Sequence, residues 1–433
     1  MRKYVGVDFG TTNSAVAIAE EDGTVRTVQF PAGNSVTESF RSLIYFERVR
    51  ENGRFHLRAH TGPDAITRYL ASDEKGRLIQ SLKAFLPSTL VRSTRIFNTV
   101  YMLEDMVAFL VQQLLRKSEN LVGELGPRSV VGRPVRFSSK ESGTDDALAV
   151  QRLQDAFVRA GMADVTFEYE PVAAAYYYES LLHKDEIILV ADFGGGTSDF
   201  SLVRLGPSFR AKFADREILG SEGIASAGDA FDAKIVKHLV SPLLGADSEY
   251  RSLGKLLPMP AWIYIHLEHW HHLSFLKSKE TMDVLTSLRA MAVEPERIEN
   301  LISIIQDDLG FHLHQAVQRT KARLSEAESS LFCFDVPGIS ISRQVTRSDF
   351  ETWITEELDM ISRCLDHLIK ESSIKTTQID RVFLTGGTSF VPAVRQIFLK
   401  RFSADRVATG AEFTSVAKGL ALRSLELARL ENH

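Results

Sequence analysis

Two stretches of the chain repeat one pattern of apolar and polar positions. The first reads Tyr4-Val-Gly-Val-Asp8-Phe-Gly10-Thr11-Thr12-Asn13-Ser-Ala-Val16, and the second reads Ile188-Leu-Val-Ala-Asp192-Phe-Gly194-Gly195-Gly196-Thr197-Ser-Asp199-Phe-Ser-Leu202. In each, an apolar, β-branched run predicts a strand ending in Asp-Phe-Gly. Small and hydroxyl residues then predict a turn, and a second apolar run follows. The aspartates Asp8 and Asp192 are 184 positions apart, too long a period for a solenoid and suited to a duplicated α/β domain.

Later elements fit that plan. Met102, Leu103, Met106, Val107, Leu110, Val111, Leu114 and Leu115 keep the i, i+3, i+4 spacing of one buried helix face over about 101–119. A strand is predicted at 129–134 and a helix from about Glu170, where Pro171 suits the first turn because its missing N–H would be unpaired there. The second half offers a helix over about 349–371 and a strand at 381–385 that runs into Gly386, Gly387 and Thr388. Strands alternating with helices predict mainly parallel sheets. Residues 35–98 and 225–310 fit the alternation poorly and follow the two turns at comparable places, so they read as one insertion per half. The expected organisation is lobe I over 1–186 and lobe II over 187–433, packed with a cleft between them because no flexible linker separates them.

Composition removes several classes. Of 433 residues, 44% are apolar and 25% charged, which excludes disordered and collagen-like chains. With 51 Lys and Arg against 56 Asp and Glu, the net charge of −5 leaves no basic excess to hold nucleic acid. Cys333 and Cys364 are too few and too far apart for a disulfide framework or a zinc pattern, which fits a reducing compartment. Asp8 interrupts the first apolar run before it reaches signal-peptide length, and the runs at 106–115 and 187–191 fall well short of a bilayer span. A cytoplasmic protein that meets neither membrane nor nucleic acid is expected.

Backbone N–H groups of a glycine-rich turn can converge on phosphate oxygens because no side chain blocks the approach. Residues 10–13 and 194–197 both have this composition. The aspartates before the turns would face the same phosphates, and a hydrated Mg²⁺ between carboxylate and phosphate resolves that repulsion. One such turn is equally an ordinary hairpin in which Asp caps its own backbone, whereas two copies in matched strand contexts favour a nucleotide and its metal. Other nucleotide sites are excluded or disfavoured. There is no Gly-x4-Gly-Lys-Ser/Thr loop, no His-Arg-Asp or Ala-Pro-Glu to accompany Asp-Phe-Gly as in protein kinases, and no Gly-x-Gly-x-x-Gly opening a helix after the first strand.

These residues resemble the actin-like ATPase superfamily and, within it, the nucleotide-binding domain of the DnaK, or heat shock protein 70, family of chaperones. Residues 7–14 and 190–199 are similar to that family's two phosphate segments, 170–176 to its connecting segment and 228–232 to its Gly-x-x-Phe-Asp element. Residues 321–325 and 384–392 are similar to its two adenosine segments, and 131–137 with 412–421 resemble short YegD-type bacterial members. The motifs keep the family's order over nearly the whole chain.

The resemblance implies an α/β, duplicated actin-like ATPase fold of ribonuclease H-like lobes, with a nucleotide cleft between them and an insertion subdomain on each. It implies ATP or ADP with Mg²⁺ as cofactors, slow hydrolysis, and lobe motion driven by nucleotide. The catalytic set would be Lys83, Glu170, Asp192 and Thr197. Asp8, Asp192, Glu170 and Asp199 would surround the metal, mostly through water. Gly10, Thr11, Thr12, Asn13, Gly194, Gly195, Gly196 and Thr197 would bind phosphates, and Gly228, Lys321, Ser325, Gly386, Gly387 and Thr388 the rest of the nucleotide. Pro171 would relay nucleotide state to the rest of the domain. A protein client, a co-chaperone or an exchange factor is an implied partner, and a monomer is expected.

Some positions depart from the family pattern. The adenosine helix reads Gln318, Lys321, Ala322 and Ser325, with Ala322 where an arginine is usual, and a methyl stacks on adenine less well than a guanidinium plane. Phe413 replaces an aspartate, and after Ala421 the chain runs only to His433, so no peptide-binding domain in cis is expected. The second insertion includes Trp262, Tyr264, His266, His269, Trp270, His271, His272 and Phe275, where the four histidines could hold a metal or a helix could pack Trp and Phe inward with the histidines solvated. Three alternatives stay open. They are a metabolite kinase of the same superfamily with a base such as Asp229 or Asp232, a filament-forming actin-like ATPase, and a nucleotide-sensing adaptor.

Overall fold

The computed structural model describes residues 3–431 apart from 34, 52–53, 73–75, 138–143, 213–216, 269–272, 274–275 and 410–413. The chain divides into two compact units, one of residues 1–227, 360–389 and 394–433 and the other of 228–359 and 390–393.

The first unit contains two sheets of one topology. In the first sheet, β1 (Tyr4–Phe9) pairs antiparallel with β2 (Asn13–Ala19), which pairs antiparallel with β3 (Val25–Thr27). The other edge of β1 takes β4 (Arg128–Arg133) in parallel, and β4 takes β5 (Asp164–Tyr169) in parallel. In the second sheet, β6 (Glu186–Phe193) pairs antiparallel with β7 (Ser198–Leu205), which pairs antiparallel with β8 (Glu217–Ile224). Its parallel side is β9 (Arg381–Thr385) followed by β10 (Val407–Thr409). The orders β3-β2-β1-β4-β5 and β8-β7-β6-β9-β10 are therefore the same, with Phe40–Arg41 added beside β2. Both sheets are mixed and not mainly parallel. The Asp-Phe-Gly turns are too short for a crossover, so the strands they join must run antiparallel.

Helices cover these sheets. Helices α1 (Leu103–Val122) and α2 (Asp146–Arg159) bury apolar faces with Val5, Val7, Phe9, Val16 and Ile18. Helix α3 (Glu170–Glu179) sets residues 172–175 against Ile188, Val190, Val203 and Leu205 of the second sheet. Helix α4 (Ser415–Leu430) sets Ala417, Ala421, Leu425 and Ala428 against Tyr4, Ala15, Ala17 and Ala19 of the first sheet. Helices α3 and α4 also pack on each other, which is why α3 is apolar nearly all round and not amphipathic. Glycine makes that approach feasible. A Cβ on Gly419 would lie 1.6 Å from Ala173 O, and one on Gly6 would lie 2.2 Å from Ala421 N.

Within 35–98, the strands Arg54–Thr61, Leu43–Glu51 and Arg77–Gln80 form a small antiparallel sheet, followed by the four-residue helix Leu82–Phe85. The second unit includes the helices Gly228–Ile235, Lys279–Met291, Pro295–Gln306 and Gly310–Glu326. It also holds two hairpins, Glu249–Ser252 with Lys255–Pro258 and Ser329–Val336 with Ile339–Thr346. The helix expected over 349–371 is two helices, Arg347–Trp353 and Thr355–Glu371. Among the described residues no helix is long and apolar enough to cross a membrane.

Candidate functional site

Acidic side chains converge from the strand ends of the two sheets. Asp8 is near the end of β1, Asp192 near the end of β6 and Asp199 at the start of β7, and Glu170 opens α3 directly after β5. Lys83, from the helix Leu82–Phe85, donates its Nζ–H to Glu170 Oε1 at 2.6 Å, with the two side chains only 7% and 9% exposed. Two strand glycines leave room for carboxylates. A Cβ on Gly132 of β4 would stand 3.1 Å from Glu170 Cγ, and one on Gly223 of β8 would stand 2.5 Å from Asp199 Oδ1. The Val135 N–H donates to Asp199 Oδ1 at 2.7 Å. Asp199 Oδ2 is buried without a hydrogen-bond partner among the described residues.

Burial, then the charge of Glu170, raises the Asp8 pKa to about 7 against the pull of Lys83. The same two causes raise Asp199 to about 7, opposed by hydrogen bonds from Thr197 and Val135 and by Lys83. Asp192 is driven well above the usual carboxylate range by burial and by Glu170, Asp8 and Asp199. For Lys83, burial works against the ammonium, but Glu170 and Asp8 prevail and hold its pKa above the ordinary lysine value. Asp8, Glu170, Asp192 and Asp199 thus share one ammonium in a desolvated place, an arrangement that a cation relieves. Among the described residues no three His, Cys, Asp or Glu side chains lie close enough to ligate a bare ion. A cation here would keep its water shell, as Mg²⁺ prefers, so the residues and the orphaned Asp199 Oδ2 fit a hydrated Mg²⁺.

The two turns stand beside this cluster and face each other. A Cβ on Gly10 would meet Asn13 O at 2.0 Å, and the Gly194 N–H donates to Thr197 O at 2.9 Å, so each turn is closed on itself. A Cβ on Gly196 would lie 3.3 Å from Thr11 Oγ1. Thr11, Thr12, Gly195, Gly196 and Thr197 are half-buried, while Asn13 and Gly194 are exposed. Ser42 N–H donates to Thr12 O (3.0 Å) and Arg41 Nη1 to Asn13 Oδ1 (3.1 Å), which ties the first turn to the segment after it. The loop after β9 passes against β6. Gly386 has φ 81°, and a Cβ there would strike Phe193 O at 2.1 Å. Gly386 is half-buried and Gly387 exposed, whereas Thr388 is buried at 3% exposure.

In the second unit Gln318, Lys321 and Ser325 share a half-buried helix face. Lys321 Nζ ion-pairs with Asp232 Oδ1 at 2.7 Å and donates to Gly228 O at 3.0 Å, and Ser325 Oγ donates to Lys321 O at 3.2 Å. Burial raises the Asp232 pKa, opposed by Lys321 and Gln318. Ala322 is exposed. His269, Trp270, His271, His272, Phe275, Glu412 and Phe413 lie outside the described residues. Gly132 and Val135 fall in the stretch 131–137 that resembles short YegD-type members but were given no role there, and Gly223 was not singled out from the sequence. An isolated strand glycine is a signal that could have marked Gly132 and Gly223.

The sequence profile of the family described as "Hsp70 protein" matches residues 4–247 and 291–427. The chain belongs to the Hsp70 family. Similar Hsp70-family proteins include the "Chaperone protein DnaK" of Thermosipho africanus, 24% identical over 425 residues that cover 98% of this chain and 59% of that protein. The "Chaperone protein dnaK" of Guillardia theta is 23% identical over 411 residues, covering 92% and 55%. That of Gracilaria tenuistipitata var. liui is 23% identical over 422 residues, covering 94% and 57%. The chain therefore spans little more than half the length of these Hsp70 relatives. The two sheets of identical order are the duplicated actin-like fold of the Hsp70 ATPase domain. Residues 248–290, outside the Hsp70 match, hold the hairpin Glu249–Ser252 with Lys255–Pro258 and the helix Ala261–Glu268.

Proposed function

We propose that the chain is a Mg²⁺-dependent, ATP-binding and slowly ATP-hydrolysing module of chaperone type. The observation that carries this reading is the pair of glycine-rich turns, face to face at Thr11 and Gly196, beside the buried Lys83–Glu170 pair and three further carboxylates. Main-chain N–H groups of 10–13 and 194–197, with the hydroxyls of Thr11, Thr12 and Thr197, would take the phosphate oxygens. Gly386, Gly387 and Thr388 would take part of the nucleotide beyond the phosphates. Asp8, Glu170, Asp192 and Asp199 would hold Mg²⁺, mostly through water, and the ion when bound supplies neutralisation of phosphate charge. Phosphoryl transfer to water needs positioning and charge neutralisation more than covalent help. Lys83, kept protonated by Glu170 and Asp8, offers a fixed ammonium to the terminal phosphate and a donor to the attacking water.

On this reading 1–186 and 187–433 are the lobes that change their angle with nucleotide state, and a client, co-chaperone or exchange factor is the partner that senses it. Calorimetric titration with ADP and ATP, with and without Mg²⁺, tests the binding, and no heat with Mg²⁺ present would sink the proposal. Lys83→Ala should bind ATP with near-normal affinity and lose about 10²-fold or more in turnover. Unchanged turnover would remove Lys83 from the mechanism.

A further inference from the structure

Lys83 rides on a helix of only four residues, Leu82–Phe85, and a single helical turn has no stability of its own. Its position must come from its neighbours. At its start, buried Ser81 takes a left-handed conformation, φ 55°. At its end stands Arg152 of α2, a buried arginine whose Nη1 donates to Leu86 O at 2.9 Å and to Ser88 O at 2.8 Å. Arg152 Nε lies 2.7 Å from Glu104 Oε1 of α1, out of line with the N–H bond, so that this contact is an ion pair and not a hydrogen bond. Asp145, the N-cap of α2, adds a main-chain N–H to Pro87 O at 2.8 Å. Three successive carbonyls, of residues 86, 87 and 88, are thus held by one helix.

A buried guanidinium is costly unless its charge and its donors are matched. Here Glu104 matches the charge, and the carbonyls at the end of the short helix take the donors, where a cation also complements the helix dipole. We infer that Arg152, braced by Glu104, is a positioning residue that fixes where the Lys83 ammonium stands. The 2.6 Å contact of Lys83 with Glu170 leaves little slack, and a displacement of about 1 Å at a reacting group can cost about 10²-fold in rate. The inference rests on the proposed role of Lys83 in hydrolysis.

Single-turnover hydrolysis and Mg²⁺–ADP affinity would be measured for the wild type, Arg152→Met, Arg152→Lys, Lys83→Ala and the Lys83→Ala/Arg152→Met double variant. Arg152→Met should lose about ten- to a hundredfold in rate, with ADP affinity within about threefold because Arg152 lies outside the turns. Arg152→Lys should recover part of the loss. In the Lys83→Ala background, Arg152→Met should cost little more. An unchanged rate in Arg152→Met, or an equal loss with and without Lys83, overturns the inference. If Arg152→Met does not fold, Glu104→Gln is read by the same two measurements, with a smaller loss expected. Wild-type turnover that needs Lys83 but tolerates the Arg152 and Glu104 changes fails this inference alone. Wild-type protein without turnover fails the parent reading as well.

Discussion

Gly419→Ala sets two ordinary effects against each other. On an exposed helix face the exchange gains about 1 kcal/mol from helix propensity. In α4 the added methyl would lie 1.6 Å from Ala173 O and 2.5 Å from Ala173 C, roughly 2 Å inside ordinary contact distance. Both atoms are backbone, so no rotamer change gives relief and α3 and α4 would have to separate. Each is already pressed on a sheet, α3 on β6 and β7 and α4 on β1 and β2, so separation would open one or both cores. Overpacking typically costs about 1–3 kcal/mol, and a backbone clash belongs at the upper end. After the propensity gain, a net loss of about 2 kcal/mol is expected. Urea unfolding without nucleotide reads it as a lower midpoint at unchanged m. A variant as stable as the wild type, or more so, would refute the packing argument because propensity alone predicts that sign. Since α3 begins at Glu170, turnover should fall as well.

Three further outcomes are expected. Asp8 and Asp199 move from 3.8 in the unfolded chain to about 7 when folded, so between these values the folded state binds more protons. Without metal, their contribution therefore makes stability fall as pH rises from about 4 to about 7. Thermal unfolding with and without Mg²⁺–ADP at pH 5 and pH 8 checks this, and the fall should shrink when the ligand is bound. Asp199→Asn should stabilise the metal-free protein by about 1 kcal/mol by removing a buried, repelled charge, and should weaken Mg²⁺-dependent ADP binding about tenfold or more; an unaltered Mg²⁺ dependence in calorimetry would count against its place at the ion. Gly196→Val should fill the space before Thr11 Oγ1 and lower ADP affinity at least about tenfold, with a stability change under about 0.5 kcal/mol because the turn is partly exposed.

The sequence carried the turns well because their chemistry is local. Glycines and hydroxyls at fixed offsets after two apolar runs predict the β1–β2 and β6–β7 hairpins directly. It carried the parallel pairings only as a class, since nothing in 128–133 says that its partner is β1. Gly132, Gly223 and Val135 serve carboxylates tens of residues away, and such proximity is a property of the folded sheet. Thr388 reads as one more hydroxyl beside glycines, and that it is buried in the 3₁₀ turn Gly387–Phe390 is a property of the fold. The helix under Lys83 is too short to show any periodicity, and its hold by Arg152 is a tertiary fact.

The cover that α4 gives to β1 and β2 has a consequence for biosynthesis. Roughly 400 residues separate the first strand from the helix that closes its open face. At about 5–20 residues per second, a ribosome needs about 20–80 s to cross that interval. For that time the face bearing Tyr4, Ala15, Ala17 and Ala19 waits uncovered, and the sheet made first is finished last.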